Sequence, residues 1–419
     1  MGIHSDWVKA FKAEVPNAFT DELHTNIAAG FIDGQIQLMK SRYVVTWEQF
    51  VQYQFVLPLQ RLLRTHGAGT VVLAFDDYAH VPRAKGMTQA KRAKRAEPMQ
   101  FHERAQLPAL IPDYWDRAIL NRNFKTRVIQ LVIARVPALL ELRDTETLII
   151  DYKGAPRAYG GSRAPEGELL EGFAGLGEAD LKFFRYAEHF GSLLAVTTDS
   201  DYLPITLLRL EAREREGAPQ PRVVIQRLRV GEANSETAKV RPGRAFEFVD
   251  TNALRAGLAT VLSKCATPHA EDCFWMARLC ALVALFGGTD FSRGMPQIGP
   301  KRVWDNLPLA SRDIFHAFDT ARGQLDEHAA QERVVSNLYA AVFAAHARGA
   351  RGSSSVFRAL QRSGKLSART KSALPSAAYI DASVRNANWI LLYWGGDVRA
   401  EDESFGYRAV GARVTYADA

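Results

Sequence analysis

The chain has 419 residues, of which 47% are hydrophobic and 24% are charged, and its formal net charge is +7. This composition is typical of a globular protein, and no apolar run approaches the roughly 20 residues that span a bilayer, so we expect no membrane partner. Three cysteines do not make a disulfide framework, and the charged N-terminus lacks the apolar region of a signal peptide, which predicts an intracellular protein.

Acidic residues follow three segments that are predicted to be short buried strands, because their residues are mostly apolar or β-branched. The carboxyl ends of strands in an α/β sheet face the crevice where ligands bind. The alternative is a set of turns in which an aspartate caps the next helix. The predicted strands are 26–32, 70–75 and 193–197, and the acids after them are Asp33, Asp76 with Asp77, and Asp199 with Asp201.

The other elements alternate along the chain in the manner of an α/β protein. Asp250 is a good N-cap for the helix that follows it, and the helix 270–286 is apolar almost all round. The predicted helices are 35–41, segments within 46–67 and 107–142, 178–190, a mostly exposed 207–216, and 270–286. The further strands are 147–150, a half-buried 222–230 and 245–249, while 154–177 is predicted to be a loop.

Positive charge is concentrated in two segments. Six basic residues and no acid lie between Arg83 and Arg95, and eight basic residues and no acid lie between Arg333 and Lys371. The first segment is predicted to be a projecting helix, since almost no apolar residue is present to attach it to a core. A polyanionic partner suits both segments, although solvated basic faces are common.

Seven carboxylates at strand ends or in the first turn of a helix would repel one another strongly if they converged. Bound cations would relieve this repulsion, and hard oxygen ligands suit Mg²⁺ or Mn²⁺. Two such ions about 4 Å apart could activate a water and stabilise the leaving oxygen of a phosphodiester. Scattered caps and surface acids are the alternative. The seven acids are Asp33, Asp76, Glu178, Asp180, Asp199, Asp201 and Asp290.

The segment MPQIGPK, residues 295–301, has the form of a helix-hairpin-helix turn. Its backbone amides could face a phosphate at a helix N-terminus, with Lys301 and Arg302 adding positive charge. Glycine and proline also build ordinary turns, so this segment alone does not establish DNA binding.

Taken together, these motifs resemble the flap endonuclease family of structure-specific 5′ nucleases. Asp33 is followed in the family's order by FDD at 75–77, GEAD at 177–180, TTDSD at 197–201 and GTDFSRGMPQIGPKR at 288–302. The resemblance covers roughly residues 1–100 and 175–305. It implies a PIN-like α/β nuclease domain, with a mainly parallel central sheet flanked by helices, a helical arch and a helix-hairpin-helix motif.

The resemblance also implies roles for individual residues. The seven acids become metal ligands or their hydrogen-bonded supports for two Mg²⁺ ions, which Mn²⁺ can replace, and a K⁺ ion belongs at the helix-hairpin-helix. AKG and AKR within 84–92 resemble the arch helix, so Lys85 and Arg92 lie beside the scissile phosphate. The residues expected to contact DNA are Gly2, Gly299, Lys301, Arg302, Lys91, Lys94 and Arg95.

The implied organisation is a nuclease core at 1–304 and a mainly helical, basic C-terminal region at 305–419. Within the core we expect an arch or cap insertion at 78–150, a second insertion at 206–248 and the helix-hairpin-helix region at 270–304. The expected protein is a monomer that binds flapped, branched or 5′-ended duplex DNA, in the nucleus of a eukaryote or in the host cell of a virus. No sliding-clamp binding peptide is recognised.

Three positions depart from the family's pattern. Asp77 stands where glycine is usual, Asp180 replaces a glutamate, and Met39 lies where a base-stacking tyrosine is expected. The leading hypothesis is a Mg²⁺-dependent 5′ nuclease of DNA replication, repair or recombination. A 5′-to-3′ exoribonuclease of the same superfamily and a nuclease-dead DNA-binding scaffold are the alternatives.

Overall fold

Most of the strands belong to one large mixed sheet. The computed structural model describes residues 3, 5–23, 26–39, 44–77, 82, 100–160, 168–169, 177–228, 246–264, 275–287, 289, 300–305, 377–396, 407–410 and 413–416. The strands among these residues are β1 (Phe19–Thr20), β2 (Ala29–Asp33), β3 (Thr70–Ala74), β4 (Thr147–Asp151), β5 (Arg157–Gly160), β6 (Glu168–Leu169), β7 (Ser192–Val196), β8 (Arg222–Leu228), β9 (Phe246–Asp250), β10 (Tyr407–Val410) and β11 (Arg413–Tyr416).

The strand order of the large sheet is β1-β9-β8-β7-β2-β3-β4-β5-β6, while β10 and β11 form a separate hairpin. The five central strands, β8 to β4 in that order, are parallel to one another, and the strands on either side are antiparallel. Strands β2, β3 and β7 are mostly buried because helices cover both faces of the sheet. This explains why their sequences are nearly continuous apolar runs. The predicted α/β class with a mainly parallel sheet is confirmed.

Helices cover both faces of this sheet. One face packs against the helices after β2 and the long helix before β4, and the other packs against helices from both ends of the chain. The helices are α1 (Ser5–Glu14), α2 (Gly34–Leu38), α3 (Trp47–Val51), α4 (Leu57–Thr65), α5 (Trp115–Ala118), α6 (Arg122–Leu139), α7 (Ala179–Phe190), α8 (Tyr202–Arg215), α9 (Thr251–Ser263), α10 (Trp275–Gly287), α11 (Pro300–Asp305) and α12 (Ala377–Gly395). A π-helical segment, Gln52–Val56, joins α3 to α4.

Several predictions about the second half of the core are wrong. The glycine-rich segment 154–177 contains two strands, β5 and β6, which extend the sheet as an antiparallel edge. Helix α8 begins at Tyr202 rather than at residue 207, and the added first turn is buried. Strand β8 does not alternate, since four successive residues from Val223 to Gln226 are buried between β7 and β9. This part of the segment 206–248 therefore belongs to the core sheet.

The described part of the C-terminal region packs against the helices that cover the central sheet. Helix α12 packs against α8 and α10, and Arg209 Nε donates a hydrogen bond to the Trp394 carbonyl at 3.2 Å. Trp389 stacks on Tyr393 with ring centroids 5.0 Å apart, and Tyr407 of the hairpin packs edge-on against Trp389. Within the described ranges, no helix is both long enough and apolar enough to cross a membrane.

Gly34 allows α2 to approach the end of β3. A Cβ atom at this position would lie 2.4 Å from the Phe75 ring and 2.9 Å from the Ala74 carbonyl oxygen. Gly34→Ala is therefore expected to lower the free energy of unfolding by about 1–3 kcal/mol through overpacking. Denaturant unfolding measures this, with Gly160→Ala as the control because its Cβ would meet nothing within 4 Å. Equal unfolding midpoints for the two variants would contradict the prediction.

Candidate functional site

The three strands that end in acids are neighbours in the sheet. Strand β2 lies between β7 and β3, and the three run parallel, so their carboxyl ends meet at one edge. Helix α7 begins against the same edge. We call this place the acidic edge and define it by six of the seven predicted acids. They are Asp33, Asp76, Glu178, Asp180, Asp199 and Asp201.

The buried carboxylate of Asp33 accepts three hydrogen bonds. Its Oδ1 accepts hydrogen bonds from the backbone amides of Gln35 at 2.9 Å and Ile36 at 3.3 Å, so it caps α2. Its Oδ2 accepts a hydrogen bond from the Tyr202 hydroxyl at 3.2 Å. The capping interpretation is therefore correct for Oδ1 of Asp33. Oδ2 instead binds Tyr202, the first residue of α8.

Asp76 connects the end of β3 to the start of α7. Its Oδ1 accepts a hydrogen bond from the Ala179 amide at 3.1 Å, between the two acids of that helix terminus. The next residue, Asp77, is also buried, and its amide donates to the Gly177 carbonyl at 2.6 Å. These two bonds bring the start of α7, which includes Glu178, beside Asp76.

Asp199 and Asp201 form a tight turn after β7. The Asp199 amide donates to Thr197 Oγ1 at 3.0 Å, and the Asp201 amide donates to Asp199 Oδ1 at 3.1 Å. Asp201 stands at the N-cap position of α8, but its side chain makes no capping hydrogen bond, and it is only 4% exposed. The capping alternative therefore does not explain Asp201.

Two buried tyrosine hydroxyls lie among these acids. Burial raises the pKa of Tyr202 well above its usual value, and the negative charges of Asp33, Asp180 and Asp199 raise it further. The pKa of Tyr393 is also raised well above its usual value, first by burial and then by the charges of Glu178 and Asp180. Each hydroxyl is thus affected by the charges of acids from separate elements, so these acids face a common region.

The N-terminal segment also reaches the acidic edge. Ser200 Oγ, between two of the acids, donates a hydrogen bond to the Ile3 carbonyl at 2.7 Å, and Ile3 itself is buried. Gly2, which was predicted to contact DNA, precedes this contact but lies outside the described residues.

The remaining predicted residues fall into two groups. Lys301 is exposed in α11, the helix that also contains Arg302, and Trp304 of this helix packs against Trp7 and Phe11 of α1. The predicted residues outside the described part of the chain are Asp290, Lys85, Arg92, Lys91, Lys94, Arg95, Gly2 and Gly299. No three His, Cys, Asp or Glu side chains within the described part form a group that could hold a metal ion.

Sequence reasoning missed several residues at the acidic edge. Tyr202 directly follows the TTDSD motif, so its position beside the acids was a usable signal. Tyr393 comes from the C-terminal region and carries no local signal. Lys182, in the second turn of α7, is 2% exposed and belongs to a buried network with Asp151 and Tyr186.

The chain was compared with known proteins. No protein-family model matches it, and no curated protein shows significant similarity. It is similar to two solved structures of the catalytic core of Rad2 in complex with a DNA substrate. For complex III the identity is 15%, the TM-score is 0.39, and the match covers 86% of this chain and 87% of that one. For complex II the identity is 13%, the TM-score is 0.38, and the coverages are 94% and 97%.

Proposed function

We propose that this chain is a metal-dependent, structure-specific 5′ nuclease that hydrolyses phosphodiester bonds in flapped or branched DNA. The observation that carries the proposal is the convergence of six acids from β2, β3, β7 and α7 at the acidic edge. Four of them are at most 8% exposed, namely Asp33, Asp76, Glu178 and Asp201. Burying several carboxylates together is unfavourable unless cations or donors compensate their charge.

The donor chemistry of the acidic edge suits a hard divalent cation, but no three of the described side chains form a ready-made group of ligands, so binding an ion would require them to move together. The charged groups of the acidic edge are carboxylates, which suit Mg²⁺ better than they suit softer metals. Two Mg²⁺ ions held there by these acids and Asp290 would supply an activated water and stabilise the leaving oxygen of a phosphodiester. The backbone amides that bind Asp33 and Asp76 fix the direction in which those carboxylates point.

The test is an assay of purified full-length protein with Mg²⁺ on end-labelled flap DNA, single-stranded RNA and a Holliday junction. We expect cleavage of the flap near its branch point, and loss of cleavage when EDTA is added. Preferred cleavage of RNA from its 5′ end would replace the proposal with the exoribonuclease. DNA binding without cleavage of any substrate would favour the scaffold.

Tyr202→Phe removes the hydrogen bond from the Tyr202 hydroxyl to Asp33. It keeps the packing of the ring on Phe183, whose centroid is 4.5 Å away. Partners that orient a metal ligand are typically worth 10–100-fold, so the Mg²⁺ concentration for half-maximal cleavage should rise about tenfold. The measurement is a Mg²⁺ titration of the cleavage rate. Tyr159→Phe, on β5, is the matched control and should leave the titration unchanged. An unchanged midpoint for both variants would show that Tyr202 does not orient Asp33.

A further inference from the structure

A buried charged network lies directly beneath the acidic edge. Lys182 Nζ donates hydrogen bonds to Asp151 Oδ1 at 2.7 Å and to the Phe75 carbonyl at 2.9 Å. The Tyr186 hydroxyl donates to the other oxygen, Asp151 Oδ2, at 2.9 Å. The side chains of Lys182 and Asp151 are 3% and 1% exposed, so this is an ion pair removed from water.

The network joins three elements at the place where two of them supply acids. Phe75 follows β3 and precedes Asp76, Asp151 ends β4, and Lys182 belongs to the helix that begins after Glu178. Asp76 is therefore held from two directions. Its side chain binds the start of α7 at Ala179, and the carbonyl before it binds the second turn of the same helix.

Stability alone is a poor explanation for such a network. Desolvating two charges is expensive, and apolar side chains of similar volume often stabilise a fold equally well. An apolar side chain at residue 182 could not bind the Phe75 carbonyl, because that oxygen needs a donor in a defined direction. The feature that distinguishes the network from an apolar core is control over the path of the backbone into Asp76.

We propose that Lys182 is a positioning residue, which sets Asp76 against Glu178 and Asp180 through the Phe75 carbonyl and Asp151 so that the acidic edge can bind divalent cations. This inference rests on the proposed function. Both carboxylate oxygens of Asp151 already accept hydrogen bonds, one from Lys182 and one from Tyr186. Asp151 therefore belongs to the network and is not an additional ligand of the acidic edge. A network with only a structural role would affect folding and leave cation binding unaltered.

The main test is a neutral triple variant, Lys182→Met with Asp151→Leu and Tyr186→Phe, made in the full-length chain. It removes one positive and one negative charge together, so the net charge beneath the acidic edge stays the same. The melting temperature without metal reports folding. The Mn²⁺ dissociation constant, from the electron paramagnetic resonance signal of free Mn²⁺, reports cation binding independently of activity, and the Mg²⁺ dependence of flap cleavage is the third measurement.

We expect the triple variant to melt within about 5 °C of the wild type, since apolar groups can replace a buried pair. Its Mn²⁺ dissociation constant and the Mg²⁺ midpoint of cleavage should each rise about tenfold, the usual size of an effect on ligand orientation. The control is Arg64→Met with Glu146→Gln. This removes the ion pair at the amino end of β4, on the opposite edge of the sheet, and should leave the Mn²⁺ constant unchanged.

Wild-type Mn²⁺ affinity in a folded triple variant would overturn the positioning role. If the triple variant does not fold, Tyr186→Phe tests the positioning role instead, because it keeps both charges of the network and the aromatic ring. It should raise the Mn²⁺ constant about threefold with little change in melting temperature, a modest effect suited to one lost hydrogen bond. An unchanged constant there would also overturn the inference. If the wild type cleaves no nucleic acid, the proposed function fails instead, while the Mn²⁺ measurement still tests the network.

Discussion

Asp201→Asn should lower the rate of cleavage by about 10²-fold or more, since it removes a charged oxygen ligand from the proposed metal site, which stabilises the reacting phosphate. Asparagine has nearly the same shape as aspartate, and the Asp201 side chain makes no capping bond that the exchange would remove. DNA binding should remain, because affinity comes mainly from basic groups on the phosphate backbone. Single-turnover cleavage and equilibrium binding of the same flap DNA measure the two quantities.

Asp250→Asn is the matched control for this prediction. Asp250 also ends a strand, but it caps α9 by accepting hydrogen bonds from Asn252 and Ala253 at 3.1 Å each, outside the acidic edge. Asparagine is an equally good N-cap, so we expect wild-type cleavage. If Asp201→Asn also cleaves at the wild-type rate, the proposed site is misplaced.

The sequence predicted the acidic edge because its signals are local. β2, β3 and β7 are continuous apolar runs that stop at aspartate, and the carboxyl ends of parallel strands meet at one edge. The order β7-β2-β3 was not derivable, since strand pairing depends on contacts distant in sequence. The edge strands β5 and β6 were missed because they lie in a glycine-rich segment without an apolar run.

The supports of the site were less predictable than its acids. A single lysine in a helix is usually solvated, so nothing in LKFF, residues 181–184, marks Lys182 as buried. Its role follows only from Asp151, which another segment brings within hydrogen-bonding distance. The position of Tyr393 was even less predictable. Its hydroxyl lies near Glu178 and Asp180 only because helix α12 packs against α8, which is distant in sequence.

Lys85→Ala and Arg92→Ala are each expected to lower the single-turnover rate by about 10²-fold or more, the usual loss for one preorganised donor. Both residues lie outside the described part of the chain, so this prediction depends on the sequence. Seven residues separate them, so in the predicted helix they would lie two turns apart on one face. Both can then reach the same phosphate and stabilise the charge that develops there. Binding of flap DNA should fall much less than the rate.

A solvated basic helix that merely attracts DNA would give the opposite pattern, with weaker binding and an unchanged rate at saturating enzyme. Lys94→Ala separates the two cases, because two residues beyond Arg92 a side chain points to the other side of a helix. We expect Lys94→Ala to weaken binding, with a shallower dependence on salt, and to keep the saturated rate. If Lys85→Ala and Arg92→Ala also keep the saturated rate, all three residues act as general phosphate contacts, and the segment 83–97 has no part in the chemical step.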